Sequence, residues 1–262
     1  MLVGSMNHPG RPLEAELERI AAAGFEFVDL TLEPPCAWPV EGAWIGERLQ
    51  ALGLRAVGHT APYLPIASPF PELQSGAHAS LVAAFDVFAA AGIRLVNVHP
   101  DALPPLVPRA ELRERNAEAV ARLAEAARER GLRLMVENLG SFGTVEDLGP
   151  LFAAAPEVGF HLDVGHAHLA YGAAANPAGD LLAAFADRLA HVHVSDNPGD
   201  RDLHLPLGAA AVDWPVVARA LRDAGWDGTV TLEVVSKRRE YLEVSRRLWL
   251  EWWAAADQGS LT

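Results

Sequence analysis

Along the chain, short runs of apolar and β-branched residues alternate with longer segments whose apolar positions recur at helical spacing. The short runs predict strands at Leu2–Ser5, Phe25–Leu32, Leu54–His59, Arg94–Val98, Leu132–Glu137, Val158–Asp163, Leu189–Ser195 and Gly228–Val234. The longer segments predict helices at Pro12–Ala23, Trp44–Leu52, Glu72–Ala91, Arg109–Arg130, Thr144–Ala154, near Pro177–Phe185, at Trp214–Ala224 and at Lys237–Ala256. Leu13, Leu17 and Ile20 share one helical face, as do Leu81, Phe85 and Phe88. Gly131 supplies the stop signal of the fourth helix. Thr144, with Asp147 three residues on, supplies the start signal of the fifth.

Each strand is followed by a helix, eight times over. Strands alternating with helices argue for a parallel sheet. Eight such units in 262 residues match a closed (β/α)8 barrel, which takes about 250 residues, better than an open doubly wound sheet. The run Ala22–Val28 is echoed at Ala90–Val96 and again at Asp223–Val230. Each echo is a helix end, a glycine and a strand start, a repeat of supersecondary units. No linker or low-complexity stretch divides the chain, so a single domain over residues 1–262 is expected.

Composition narrows the function classes. Lys and Arg number 21 against 34 Asp and Glu, a formal net charge of −13, and the only lysine is Lys237. Gripping nucleic acid requires cationic neutralisation of phosphates, so a nucleic-acid partner is disfavoured. The lone cysteine, Cys36, excludes a disulfide framework and a cysteine-based zinc cluster. No apolar run reaches the roughly 20 residues of a membrane span. Met1–Gly10 has neither the cationic start nor the apolar stretch of a signal peptide, so a cytoplasmic protein is expected.

In such a barrel, chemistry gathers at the C-terminal ends of the strands. There the sequence places His59, His99, Glu137-Asn138, Asp163, His193, Asp196-Asn197 and Glu233. His166, Asp202 and His204 follow within loops, and Asn7-His8 follows the first strand. A single histidine ending a strand is usually a hydrogen-bonded rim residue. Glu137, directly after Leu-Met-Val, is harder to explain that way, because buried carboxylates are paired or bind metal. What sets these residues apart is that imidazoles and carboxylates from several strands converge on one mouth. Such donors, without thiolate, suit Mn²⁺, Co²⁺, Mg²⁺ or Zn²⁺.

The runs His161–His166 (HLDVGH), His191–Asn197 (HVHVSDN), Asp202–Gly208 (DLHLPLG) and Thr231–Val234 (TLEV) resemble the xylose isomerase-like TIM-barrel superfamily. That superfamily includes sugar isomerases and epimerases, and abasic-site nucleases of the endonuclease IV type. The isomerase/epimerase pattern implies one divalent metal on Glu137, Asp163, His193 and Glu233, with Glu137 and Glu233 as the acid/base pair. It further implies His166, and more loosely Arg201, as substrate ligands. The expected reaction is proton abstraction next to a carbonyl that the metal polarises, on a small sugar or polyol-like substrate. Dehydratases and lyases begin with the same step and stay open, as does a non-catalytic, ligand-binding role. The nuclease pattern implies three metals and draws in His59, His99, His166, Asp202 and His204 as additional ligands. Against it stands the scarcity of basic residues in the predicted loops, where only Arg109 and Arg201 lie, since nuclease binding needs several phosphate contacts.

Trp38, in the proline-rich loop after the second strand, is a candidate wall for a sugar ring, with a rigid connector as the alternative. Trp249, Trp252 and Trp253 are read as barrel packing, a subunit interface being the alternative. Lys237 reads as a solvated helix start rather than a Schiff-base lysine. No glycine-rich phosphate loop follows a strand, so no nucleotide cofactor is expected.

Overall fold

The computed structural model describes residues 1–102, 106–172 and 176–257. Its eight parallel strands close in sequence order into one barrel, with helices in the connections. The chain gathers into two compact units. One comprises Gly4–Glu137 and Glu146–Gly159; the other comprises Met1–Val3, Asn138–Val145 and Phe160–Thr262.

The first unit holds β1 (Leu2–Met6, from Gly4), α1 (Leu13–Ala22), β2 (Phe27–Leu32), α2 (Gly42–Leu52), β3 (Arg55–Thr60), α3 (Pro71–Ala90), β4 (Leu95–Val98), α4 (Arg109–Glu129), β5 (Arg133–Glu137) and most of α5 (Val145–Ala154). Every residue of β2 is buried, as expected of a parallel strand covered on both faces. Register is continuous between β2 and β3, where Thr31 lies beside His59. The core is formed by side chains with no exposure, among them Leu17, Ile20, Phe27, Ile45, Phe85 and Phe88. Each contributes about 1.5–3 kcal/mol by burial. Gly131 turns out of α4 at φ 68°, which a side chain would resist.

The second unit holds β6 (Gly159–Asp163, from Phe160), α6 (Val164–Ala170), α7 (Gly179–Phe185), a single 3₁₀ turn (Ala186–Arg188), β7 (Leu189–Val194), α8 (Trp214–Asp223), β8 (Thr229–Leu232) and α9 (Glu240–Asp257). Asp163 lies beside His193 in the β6–β7 register. Trp214 packs edge-on against Trp249 and stacked on Trp252. Trp249 has no exposure and Trp253 only 7%, so both serve packing, as the sequence suggests. Lys237 is exposed.

Elements and expectations agree to within a few residues except in three places. The helix α6 is absent from the sequence expectation. It has seven residues and leaves β6 without a loop, too short for its periodicity to register. The last helix starts at Glu240 rather than Lys237, after a turn in which Ser236 Oγ accepts the Arg238 N–H at 3.1 Å. Finally β8 ends at Leu232, so Glu233 follows the strand, with its N–H donated to the Val194 carbonyl at 3.1 Å. Among the described residues no helix is long and apolar enough to cross a membrane.

Candidate metal centre

In the first unit the polar residues come from β2, β3, β4 and β5 and from His99, which directly follows β4. Asn97, fully buried on β4, is the hub. Its Nδ2 donates to Glu137 Oε2 at 2.8 Å and lies 3.3 Å from both His59 Nδ1 and His99 Nε2. Its Oδ1 accepts the Thr60 N–H at 2.8 Å. His99 Nε2 is 3.0 Å from Glu137 Oε2, and His59 Nδ1 is 3.5 Å from Asp29 Oδ1. Glu137 and Asp29 are each 1% exposed. Two carboxylates withdrawn from water require compensating charge or hydrogen bonds, and the imidazoles and amide surround them. One ligand atom from each of His59, His99 and Glu137 lies within 4.8 Å of the other two.

In the second unit Asp163, at the end of β6, caps α6 by accepting the His166 N–H at 2.6 Å. A side chain at Gly165 in that first turn would meet Ser195 Oγ at 2.7 Å, so only glycine lets α6 start so close to β7. The Asn138 side-chain amide holds the Asp163 backbone, donating to its carbonyl and accepting its N–H, each at 2.8 Å. Its own carbonyl is 3.0 Å from His166 Nδ1. Held in this way, His166 turns Nε2 toward Asp202 Oδ2, 3.1 Å away. Asp202 Oδ2 is also 3.2 Å from His204 Nε2. His204 Nδ1 is 3.5 Å from Glu233 Oε2, and that oxygen is 3.0 Å from His193 Nδ1. His193 Nδ1 in turn lies 3.8 Å from Asp163 Oδ2. Asp163 and His193 have no exposure.

Charges in this chain of contacts perturb one another. Burial alone would depress the His204 imidazole, but the Glu233 charge and the hydrogen bonds to Asp202 and Glu233 push it up to about 11. Burial would raise Asp202, yet hydrogen bonds from His166 and His204 hold it well below the carboxylate range. Glu233 is likewise held low against burial, by the charges of His204 and His193. His204 is also the one non-glycine at positive φ, 45°, among the described residues. Strain of this kind costs about 1–3 kcal/mol and persists only where neighbours over-determine it.

The neighbours that hold His204 are visible. Asp196 and Leu205 exchange backbone hydrogen bonds of 3.0 and 2.9 Å, and the His204 carbonyl accepts the Val235 N–H at 3.0 Å. The Asp196 carboxylate, itself fully buried, accepts the N–H groups of Asn197, Gly208, Ala210 and Val212 at 2.9–3.1 Å and the Trp214 indole at 3.2 Å.

Both units therefore contain clusters whose donors are imidazole nitrogen and carboxylate oxygen without sulfur. That set fits Mn²⁺, Co²⁺, Mg²⁺ or Zn²⁺. In the second unit, His166, Asp202 and His204 also have ligand atoms within 4.8 Å of one another.

The remaining sequence candidates fall elsewhere. Arg201 is 71% exposed beside Asp200 and lines a cavity of about 430 Å³ with His166, Asp202 and Ser141. Trp38 lines a separate, smaller cavity. Arg109 is held by Asp147 at 2.6 and 2.9 Å, and His8 is an exposed loop residue. Asp29 and Asn97 are additions that the sequence reading misses. The signal is present in each: a carboxylate or amide directly after an apolar pair inside a short strand, Phe-Val-Asp-Leu-Thr-Leu and Leu-Val-Asn-Val, much as Glu137 follows Leu-Met-Val.

Known structures share this fold. A D-tagatose 3-epimerase-like protein superposes with a TM-score of 0.86 at 23% identity, covering 99% of both chains. D-psicose 3-epimerase from Clostridium cellulolyticum H10, solved with D-tagatose, gives 0.77 at 16% identity, covering 98% of this chain and 99% of that one. The TTHB071 protein of Thermus thermophilus, soaked with ZnCl2, gives 0.74 at 27% identity over 96% of this chain and 99% of that one. The protein MJ1311 of Methanocaldococcus jannaschii is 29% identical over 170 residues, a match spanning 57% of this chain and 57% of that protein's length. Residues 17–252 match the model of the xylose isomerase-like TIM barrel, and the chain belongs to that family.

Proposed function

We propose that the protein is a divalent-metal-dependent isomerase or epimerase acting on a small sugar-like substrate by proton transfer next to a carbonyl. In this reading Glu137, Asp163, His193 and Glu233 hold one cation. The observation that carries it is the pair of carboxylates at the strand ends, each set on an imidazole: Glu137 at 3.0 Å from His99 and Glu233 at 3.0 Å from His193. When bound, a divalent cation polarises the substrate carbonyl and offsets the carboxylate charge. The chain's own residues do the rest. One of Glu137 and Glu233 removes the proton from the carbon next to the carbonyl, and the other delivers one. His166, fixed by the Asn138 carbonyl, and Arg201 bind substrate oxygens, and Trp38 supplies an apolar wall from the pocket it lines. The epimerases among the similar folds support a ketose as the substrate class.

The test is exchange of the carbon-bound hydrogen with D2O on a panel of ketoses and their phosphates, followed by NMR. Glu137→Gln and Glu233→Gln are expected to lose about 10²–10⁴-fold in exchange while keeping the native circular dichroism. Full exchange in either variant contradicts the assignment.

A second reading is favoured by the surplus of ligands. His59 and His99 in one unit, and His166, Asp202 and His204 in the other, exceed what one cation needs. They suit a trinuclear phosphodiesterase of the endonuclease IV type. The locked Arg109 and the net charge of −13 weigh against DNA as its substrate. Elemental analysis decides between the two. One cation per chain and no cleavage of abasic-site DNA fit the isomerase; three per chain with cleavage fit the nuclease.

A further inference from the structure

We propose that an apolar pocket beside β2 and β3 receives a nonpolar substituent of the substrate, of phenyl or short-alkyl size. This deepens the isomerase reading and rests on it. The pocket has a volume of about 190 Å³ and lies at the C-terminal ends of both strands, at Leu32 and Thr60. Its walls are Trp38, Tyr63, Pro34 and Leu64, with Leu81 and Ala84 contributed by α3. Among the described residues no charged side chain lines it.

Three of the lining side chains carry hydroxyls, and each already has a hydrogen-bond partner. Thr60 Oγ1 donates to the Asn97 carbonyl at 3.0 Å, and Ser80 Oγ donates to the Gly76 carbonyl of its own helix at 2.9 Å. The Tyr63 hydroxyl is tied to Glu33, which leaves its ring as wall. A polyol needs hydrogen-bonding partners for every hydroxyl it buries; Thr60 and Ser80 have already committed their protons, which leaves it little beyond their acceptor lone pairs and the Trp38 indole. An apolar group needs only the contact area. The volume suits one ring, since an engineered apolar cavity of about 150 Å³ binds benzene.

Position links the pocket to chemistry. Thr60 is held by Asn97 through both its N–H and its hydroxyl, and Asn97 donates to Glu137 at 2.8 Å. Through the Asn97 side chain the pocket's Thr60 is thus connected to Glu137, the proposed proton-transfer residue. Substrates of this class carry a carbonyl end and, at some remove, an aryl, alkyl or deoxy end in place of a further hydroxyl.

Two measurements test this. The first is binding of benzyl alcohol to chelator-treated protein, read by ligand-observed NMR and independent of metal and turnover. Wild-type protein should bind it. Trp38→Ala, which removes a wall, and Ala84→Leu, which fills the space, should each weaken binding at least 10-fold, and erythritol should not compete. If Ala84→Leu fails to fold, Trp38→Ala decides alone. The second is hydrogen exchange on a phenyl-substituted ketose against the plain ketose. The substituted compound should have at least 10-fold higher kcat/KM, and Ala84→Leu should erase the advantage. Absent or unaltered benzyl alcohol binding, or equal kcat/KM for the two ketoses, overturns the pocket and leaves the isomerase reading standing. Benzyl alcohol binding that both variants weaken, with no exchange on any ketose, shows an apolar pocket but overturns the isomerase reading and, with it, the pocket's role for that substrate.

Discussion

Asp196→Asn isolates the strongest structural dependence of the candidate site. The carboxylate is buried and takes five donors. Oδ1 serves the Asn197 and Val212 N–H groups, and Oδ2 serves Gly208, Ala210 and the Trp214 indole. Asparagine keeps the shape but has one acceptor oxygen. Whichever way its amide is turned, an NH2 faces at least two N–H donors. Each buried donor left without an acceptor costs about 1–3 kcal/mol, and the loss of a charged acceptor weakens the remainder. The expected destabilisation is about 3–5 kcal/mol. At roughly 2–4 °C per kcal/mol for a chain of this size, thermal denaturation followed by circular dichroism should drop by about 6–20 °C. The loss should also reach His204, whose positive φ is held through the Asp196–Leu205 backbone pair. Released from that pair, His204 relaxes toward ordinary backbone geometry and leaves Asp202 and Glu233. Cation affinity, measured by titration calorimetry, should therefore fall together with stability. An Asp196→Asn protein within about 1 kcal/mol of wild type refutes the claim that this carboxylate clamps the loop.

Other consequences follow from the same geometry. Chelation should lower the melting temperature, because Glu137 and Asp163 are buried carboxylates that gain a counter-charge from a cation; restoring the cation at about 100 times its Kd should return about 2.7 kcal/mol, and a melting temperature indifferent to chelator speaks against a metal there. Burial would raise Glu16, but Arg19, the His8 N–H and Arg11 hold it below the usual carboxylate value. Its folded pKa is thus lower than its unfolded one, so its stabilisation is present above about pH 4.3 and is lost as pH falls through the folded value. Glu16→Gln should be less stable than wild type at pH 7, with the gap narrowing as the pH falls through the folded value, as read from urea midpoints. Trp249→Ala empties a fully buried site packed on Trp214 and Trp253 and should cost about 3–5 kcal/mol, measured by the same denaturation.

The sequence alone carried the barrel, because each strand and helix declares itself by local periodicity and eight repeats leave few ways to close. It also carried Glu137, Asp163, His193 and Glu233 as strand-end residues, since polar groups at the end of an apolar run stand out one strand at a time. Tertiary structure decided the rest. Asn97 became a hub only when β3, β4 and β5 brought Thr60, His59, His99 and Glu137 to it. Asp196 became a clamp only when residues 205–214 folded back over it, with contacts up to 18 positions away in the chain. Arg109, which reads in the sequence as a cation near the barrel mouth, is taken by Asp147, 38 positions on. His166 was visible as a residue, but its orientation came from a seven-residue helix that periodicity could not register. The physical reason is common to all four. Hydrophobic patterning is local and repeats, so it can be read along the chain. Hydrogen bonds between distant polar groups depend on which strands become neighbours, and that is fixed only when the chain folds.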